Sequence, residues 1–308
     1  MRFLILGAGA TGGFFGARLV EAGADVTFLV RERRAAQLKA GGLVLSGPQG
    51  TLRIPVNVIV RAEPGDSYDV VILSCKAYDL LPAIEAVAAA VGPGSTVLPL
   101  LNGLAHYRAL DERFGEDRVL GGLCHLAATL APSGEIQQLL PINSITFGER
   151  RGGRSARCDA LHSVLGRIRS DVRYSENLMF DAWEKWVMLA ALAGMTCLMR
   201  GSVGDIVAAQ GRELTETLLD ECARIAARSG YPIPEGRLAQ TRALLTQPGA
   251  TFTASMLRDI ERTGPTEGEH ILGDLLKRAR ELGVSTTLLP IACTHLRVYE
   301  LRRSRASA

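Results

Sequence analysis

The chain has 308 residues, with 35 Lys and Arg against 32 Asp and Glu and a formal net charge of +3. That near-balance, without a long basic tract, argues against a nucleic-acid partner, and Arg297, Arg302, Arg303 and Arg305 read as the frayed end of a last helix. The length exceeds what one core usually serves, so two domains are expected, and no apolar run approaches the ~20 residues of a membrane span.

Six cysteines (Cys75, Cys124, Cys158, Cys197, Cys222 and Cys293) are scattered without a C-x-x-C pair, several of them in apolar runs. They read as small core residues in a reducing compartment, with neither a disulfide framework nor a metal site. The apolar N-terminus lacks a signal-peptide cleavage region, so a cytoplasmic location is expected.

The first expected element is a short buried strand, Arg2 to Leu6, running into Gly7-Ala8-Gly9-Ala10-Thr11-Gly12. Each glycine of G-x-G-x-x-G has a steric reason. Gly7 allows the tight turn off the strand, Gly9 lets a pyrophosphate approach the backbone, and Gly12 lets the following helix pack close to the sheet. That helix, Thr11 to Ala22, turns free N–H groups and its positive dipole end toward the phosphates, so Gly7, Gly9, Ala10, Thr11 and Gly12 form the expected cofactor cradle. A second strand, Asp25 to Val30, completes a βαβ unit.

The end of that strand bears on the choice of dinucleotide. Sites for NAD place an Asp or Glu there for the ribose hydroxyls. Here Arg31 comes first, and its guanidinium can grip a 2′-phosphate with paired N–H groups, which favours NADP(H). Glu32 turned inward would serve a plain ribose instead, and Arg33 and Arg34 read as the solvated start of the next helix.

Further along, Leu43 to Leu45 and Leu52 to Ile54 flank a Gly47-Pro48-Gln49-Gly50 turn, a hairpin signal. Asp69 to Leu73 is a continuous apolar strand, as buried parallel sheets require. A helix with Pro82 near its start ends at Gly92-Pro93-Gly94, and Ser95 to Leu100 is the next strand. Strands are expected at Arg118 to Ala127 and Ser144 to Gly148, about a Pro132-Ser133-Gly134 turn. After a polar connector, Arg150 to Ser155, come a helix (Arg157 to Ser170) and a short strand (Val172 to Tyr174). Beyond Ser175 helical periodicity dominates: Asn177 to Thr196, Arg212 to Ser229, Glu235 to Leu245, Glu267 to Leu282 and Leu288 to Arg302. The pattern predicts an α/β Rossmann-type N-terminal domain with a mostly parallel sheet (residues 1–174), followed by an all-α C-terminal domain (residues 175–308).

Ligands of such sheets bind beyond the carboxyl ends of the strands, and pockets favour domain interfaces. Lys76 and Asn102 each follow the end of a predicted strand, so both could converge on one ligand, or serve as a surface lysine and a turn former before Gly103. Lys185 is the only lysine of an otherwise apolar helix. It reads as part of a solvated face with Glu184 beside it, as a snorkelling lysine beside the tryptophans, or as a proton donor aimed at a ligand. Ser255 fits a helix cap, Thr266-x-x-Glu269 has capping-box spacing, and Glu267 suits a helix dipole.

Taken together, Gly7 to Gly12, Arg31, Ser74-Cys75-Lys76-Ala77, Leu101-Asn102-Gly103-Leu104, Trp183-Glu184-Lys185, Ser255 to Asp259 and Thr266-Glu267 resemble the ketopantoate reductase (2-dehydropantoate 2-reductase) family over nearly the whole chain. The resemblance implies NADP(H) as cofactor, with Arg31 on its phosphate. It implies that Lys76 and Asn102 serve both cofactor and substrate and that Lys185 is the catalytic acid. Glu267 would support catalysis near that lysine or the cofactor, and Ser255 would hold the substrate, a small 2-oxo acid. The lysine helix of well-studied members carries asparagines four and eight residues further on, a spacing that shares one face. Leu189 and Ala193 stand there in this chain, lining the substrate side with apolar groups, and Gln138 replaces a common His.

Three readings follow from that resemblance and its departures. They are ketopantoate reduction to pantoate, on the way to pantothenate and coenzyme A; a reductase of a less polar ketone or 2-oxo acid; and a non-catalytic NADP-binding sensor. Related dehydrogenases often dimerise through the helical domain, and nothing in this sequence requires or forbids a homodimer.

Substituting Arg31 with Ala should weaken NADPH binding far more than NADH binding in a fluorescence titration. Equal weakening of the two would remove the phosphate role.

Overall fold

The computed structural model describes residues 1–306. It divides the chain into two compact units, Met1–Leu101 with His106–Met179, and Asn102–Ala105 with Phe180–Ala308.

The first unit runs β1 (Arg2–Leu6), α1 (Ala10–Glu21), β2 (Asp25–Leu29), α2 (Glu32–Gly41), β3 (Leu43–Gly47), β4 (Gly50–Ile54), β5 (Asn57–Ile59) and β6 (Val70–Leu73). It continues with α3 (Leu80–Val87), β7 (Thr96–Pro99), α4 (His106–Phe114), β8 (Gly121–Leu130), β9 (Ile136–Gly148), α5 (Ala156–Leu165) and β10 (Asp171–Tyr174). Five strands form a parallel sheet in the order β5-β2-β1-β6-β7. Phe3, Leu4 and Ile5 of β1 and Val71, Ile72 and Leu73 of β6 are fully buried, which is why both strands are continuously apolar. The chain leaves β1 for β2 on one side and later enters β6 on the other. The strand order therefore reverses between β1 and β6, and their carboxyl ends mark the crevice where sheets of this kind bind ligands.

A second, mixed sheet runs β10-β9-β3-β4, with β8 paired along β9. The ribbon of β8 and β9 is longer than the pattern predicts. Gly134, at φ +87, closes its turn, with the Ala131 N–H donating to the Glu135 carbonyl at 2.8 Å. The register then shifts between Leu126, opposite Asn143, and Ala128, opposite Gln138. The slack falls on Leu139 to Ile142, whose apolar side chains stand exposed, so no alternation of burial marks them as strand. Helix α4 is an element the sequence pattern does not announce; it buries Tyr107, Leu110 and Phe114 at helical spacing.

The second unit is helical: α6 (Leu178–Met199, which starts in the first unit), α7 (Val203–Ala208), α8 (Arg212–Arg228), α9 (Glu235–Leu245), α10 (Ser255–Glu261), α11 (Asp274–Glu281) and α12 (Leu288–Ala306). The helix expected from Glu267 starts instead as a π-helical turn, Glu269–Gly273, leading into α11. Its predicted capping box does not form. The Thr266 N–H and hydroxyl both donate to Glu300 Oε1 at 2.7 Å, while Glu269 accepts from Arg297 at 2.9 Å. Both residues of the motif found partners on α12 rather than each other. Among the described residues no helix is long and apolar enough to cross a membrane.

The start of α12 is fixed by one carboxylate. Glu221 of α8, only 1% exposed, accepts the N–H groups of Thr287, Leu288 and Leu289 at 2.7, 3.0 and 2.9 Å. It satisfies donors that a helix N-terminus otherwise leaves open, and its charge suits the positive dipole end. Glu221→Ala should cost about 3 kcal/mol in urea unfolding, with Glu221→Gln losing less because one acceptor remains. An unchanged midpoint in the alanine variant would show that the cap carries no weight.

Candidate active site

The glycine loop behaves as its spacing predicts. Gly7 has φ +87, and its N–H donates to the Leu29 carbonyl at 2.9 Å, tying the turn to β2. A Cβ on Gly12 would stand 2.3 Å from Ser74 Oγ and 2.5 Å from the Gly7 carbonyl oxygen, so α1 can lie this close to the end of β6 only with glycine there. Gly9 differs. It sits at an ordinary φ of −83 as the N-cap of α1, and a Cβ on it would meet nothing within 4 Å. The space beside Gly9 is left open while no side chain caps the helix, which begins at Ala10, one residue before the predicted start. Open N–H groups at Ala10 and Thr11, the dipole end and bare backbone at Gly9 together fit the pyrophosphate of a dinucleotide.

Three arginines follow β2, and they do different things. Arg31 is the N-cap of α2; its side chain is 85% exposed and lies 3.3 Å from Asp79 Oδ1. An exposed pair of this kind is worth about 0–1 kcal/mol, so Asp79 yields readily to a better anion. Arg33 is exposed, as the solvated start of a helix should be. Arg34, expected to be solvated too, is not. Its Nε donates to the Ala8 carbonyl at 3.2 Å and its Nη1 to Gln37 Oε1 at 3.3 Å, and burial pushes its pKa down. The Gly134 turn closes over it, since a Cβ on Gly134 would lie 2.4 Å from Arg34 Nη1. Arg34 thus clamps the glycine loop from behind, a role the sequence reasoning missed. The available signal was its place four residues before buried Leu38, on the inward face of α2.

Beyond β6, Lys76 is half-buried and starts the short 3₁₀ turn Ala77–Asp79, its carbonyl accepting the Asp79 N–H at 2.9 Å. The same turn therefore sets the backbone of Lys76 and the carboxylate that meets Arg31.

In the helical unit, α6 is anchored by Trp183 and Trp186, each 1% exposed. The Trp186 indole N–H donates to the Ile271 carbonyl in the π-helical turn at 3.0 Å. Glu184, expected as the companion of Lys185, instead pairs with Arg237 of α9 at 2.7 Å. Lys185 is half-buried and donates through Nζ to Asn102 Oδ1 at 3.1 Å. A direct hydrogen bond thus joins two of the predicted site residues. Leu189, one turn on, is half-buried, whereas Ala193 is 1% exposed and packs in the interior. Ser255 is not a cap: the N-cap of α10 is Ala254, and Ser255, half-buried, is the first helical residue. Glu267 is 6% exposed; it precedes the π-helical turn, and its carbonyl accepts the Ile271 N–H at 2.9 Å. His270, in that turn, was not predicted as a site residue. Its ring hydrogen-bonds the Asn102 backbone, and burial pushes its pKa down against the pull of Glu267, that bond and Asp274.

Residues 3–152 match the family described as ketopantoate reductase PanE/ApbA, and residues 177–300 match its C-terminal family. The chain belongs to the ketopantoate reductase family of oxidoreductases. It is 36% identical over 304 residues to the uncharacterised oxidoreductase YkpB of Bacillus subtilis, covering 98% of this chain and 100% of that one. A solved 2-dehydropantoate 2-reductase from Methylococcus capsulatus superposes with a TM-score of 0.88 at 26% identity, covering 99% and 98% of the two chains. A D-mandelate dehydrogenase solved with NADH and anilino(oxo)acetate shares the fold, with a TM-score of 0.89 at 20% identity and 99% and 100% coverage.

The glycines separate stability from binding. Gly9→Ala should leave the thermal midpoint near wild type while weakening NADPH binding about tenfold or more, because its methyl fills ligand space rather than protein space. Gly12→Ala should lower the midpoint itself. A Gly9→Ala protein that bound NADPH normally would contradict the cradle.

Proposed function

We propose that this chain is an NADPH-dependent reductase of 2-oxo acids, with ketopantoate, reduced to pantoate, as its first candidate substrate. The hydrogen bond from Lys185 Nζ to Asn102 Oδ1 carries the reading. An amide oxygen accepts from an ammonium without competing for its proton, so Asn102 orients the donor and leaves it charged. A lysine ammonium holds its proton at neutral pH without special tuning.

NADPH, when bound, supplies the hydride. Gly7, Gly9, Ala10, Thr11 and Gly12 bind its pyrophosphate, Arg31 its 2′-phosphate, and Lys76 adds a positive charge at the end of β6. Lys185 stabilises the negative charge that grows on the substrate carbonyl oxygen and donates its proton there. Glu267 contributes the opposing charge that keeps an ammonium favourable in a half-buried setting, and Ser255 offers a hydroxyl to the substrate. Reduction needs the charged ammonium and oxidation of the product the neutral amine, so the reverse direction should improve at alkaline pH.

A second reading has its own observation. One and two turns past Lys185 stand half-buried Leu189 and buried Ala193, which offer no hydrogen bond to a hydroxylated substrate. Losing paired polar groups costs a site on the order of 10²-fold or more in discrimination. A 2-oxo acid with an apolar side chain suits these residues better than ketopantoate does. A protein of the same fold is named for mandelate, an aromatic 2-hydroxy acid.

NADPH oxidation with ketopantoate, 2-oxoisovalerate, 2-oxoisocaproate and phenylglyoxylate separates the readings by relative kcat/KM. Lys185→Ala should lower kcat about 10²-fold or more on the best of these while NADPH affinity stays within a few-fold. Wild-type turnover by that variant would remove the proton-donor role, and reduction of none of the four acids would overturn the proposal.

A further inference from the structure

The helix bearing Lys185 is fastened around the π-helical turn at two successive residues. Trp186 reaches the turn directly, through its indole bond to the Ile271 carbonyl at 3.0 Å. Lys185 reaches it through an intermediary. Its ammonium donates to Asn102 Oδ1 at 3.1 Å, and the backbone of Asn102 is hydrogen-bonded by the ring of His270. That bond favours the protonated ring, so the ring is the donor and the Asn102 carbonyl the acceptor. The contact is close along its length. Gly103, at φ +73, lies against His270, and a Cβ there would stand 3.0 Å from Cδ2, 3.2 Å from the carbonyl oxygen and 3.3 Å from Nε2. Asn102 is thus held at both ends, by Lys185 at its amide and by His270 at its main chain.

We propose that His270 is a positioning residue for the reduction: it fixes the Asn102 backbone, and through the Asn102 amide it sets where the Lys185 ammonium points. The inference rests on Lys185 being the proton donor. Lysine has a long flexible stem, and the Trp186 bond fixes the helix but not the side chain that leaves it. A proton donor must stand within hydrogen-bond reach of the developing oxyanion, so the amide that restrains the ammonium matters as much as the helix. The charged groups acting on the ring from its own segment are Glu267 and Asp274; burial outweighs both and pushes its pKa below the ordinary imidazole range. A neutral ring still donates one N–H to the carbonyl, and it places no second cation next to the residue that holds Lys185.

The test compares His270→Phe, His270→Gln and Lys185→Ala in full-length protein, with NADPH and whichever acid of the four-acid panel the wild type reduces fastest. His270→Phe should lower kcat about tenfold or more, with NADPH affinity and substrate KM within about twofold of wild type. His270→Gln keeps a side-chain N–H and should recover kcat to within about threefold. If the phenylalanine does not fold, His270→Leu supplies the apolar arm. Wild-type kcat in the apolar variant, or a glutamine variant as impaired as the apolar one, would overturn the inference. A loss confined to thermal stability would also overturn it. Lys185→Ala separates the two levels. If it turns over normally, the proton-donor reading fails; if it is inactive while the apolar variant is unimpaired, only the role of His270 fails.

Discussion

One hydrogen bond, between the Lys185 ammonium and the Asn102 amide oxygen, joins residues 83 apart in sequence, and the proposed chemistry depends on it. Two residues flanking the lysine are committed elsewhere. Glu184 is taken by Arg237, Trp186 by Ile271, and both tryptophans are buried as anchors of α6. Lys185 is a half-buried cation with an amide oxygen as one of its partners. The short segment Asn102–Ala105 leaves the end of β7 yet groups with the helices, which is how a strand-end residue comes to serve a helix-borne lysine.

The nucleotide side follows the opposite logic. The groups proposed to meet a dinucleotide are left open rather than committed. The N-terminus of α1 has no side-chain cap, a Cβ on Gly9 would meet nothing, and Arg31 is held only by an exposed pair. Rigidity comes from behind, where Gly12 lets α1 meet Ser74 and Arg34 grips the Ala8 carbonyl. Packing contacts thus shape the loop, and the groups that face a ligand stay unspent. That division explains why neighbouring arginines with the same chemistry act differently: one lies in solvent and can meet a phosphate, another is part of the loop's scaffold.

Much of this was legible in the sequence because its causes are local. A glycine spacing encodes a turn, an approach and a close packing, and a continuous apolar strand encodes burial on both faces. The helical half announced itself by period alone, and Glu235–Leu245 falls where the pattern put it. Most of the errors share one cause, a partner distant in sequence, and one is a local register shift. Thr266 and Glu269 looked like a capping pair but are taken by Glu300 and Arg297 of α12. Leu139 to Ile142 are apolar yet exposed in a register shift, so β9 looked shorter than it is. Arg34 read as one more surface charge until the turn at Gly134 was seen to cover it. His270 carries no local signal at all, because what makes it notable is Asn102, far back in the chain.

The proposed reduction depends on where the Lys185 amine points. A crystal structure with NADPH and a slowly reduced 2-oxo acid measures this directly. Lys185 Nζ should lie within hydrogen-bond reach, about 3 Å, of the oxo oxygen, with Asn102 still accepting from it. An Nζ turned to bulk solvent, with the oxo oxygen met by some other group, would contradict the assignment even if the coenzyme occupied the glycine loop.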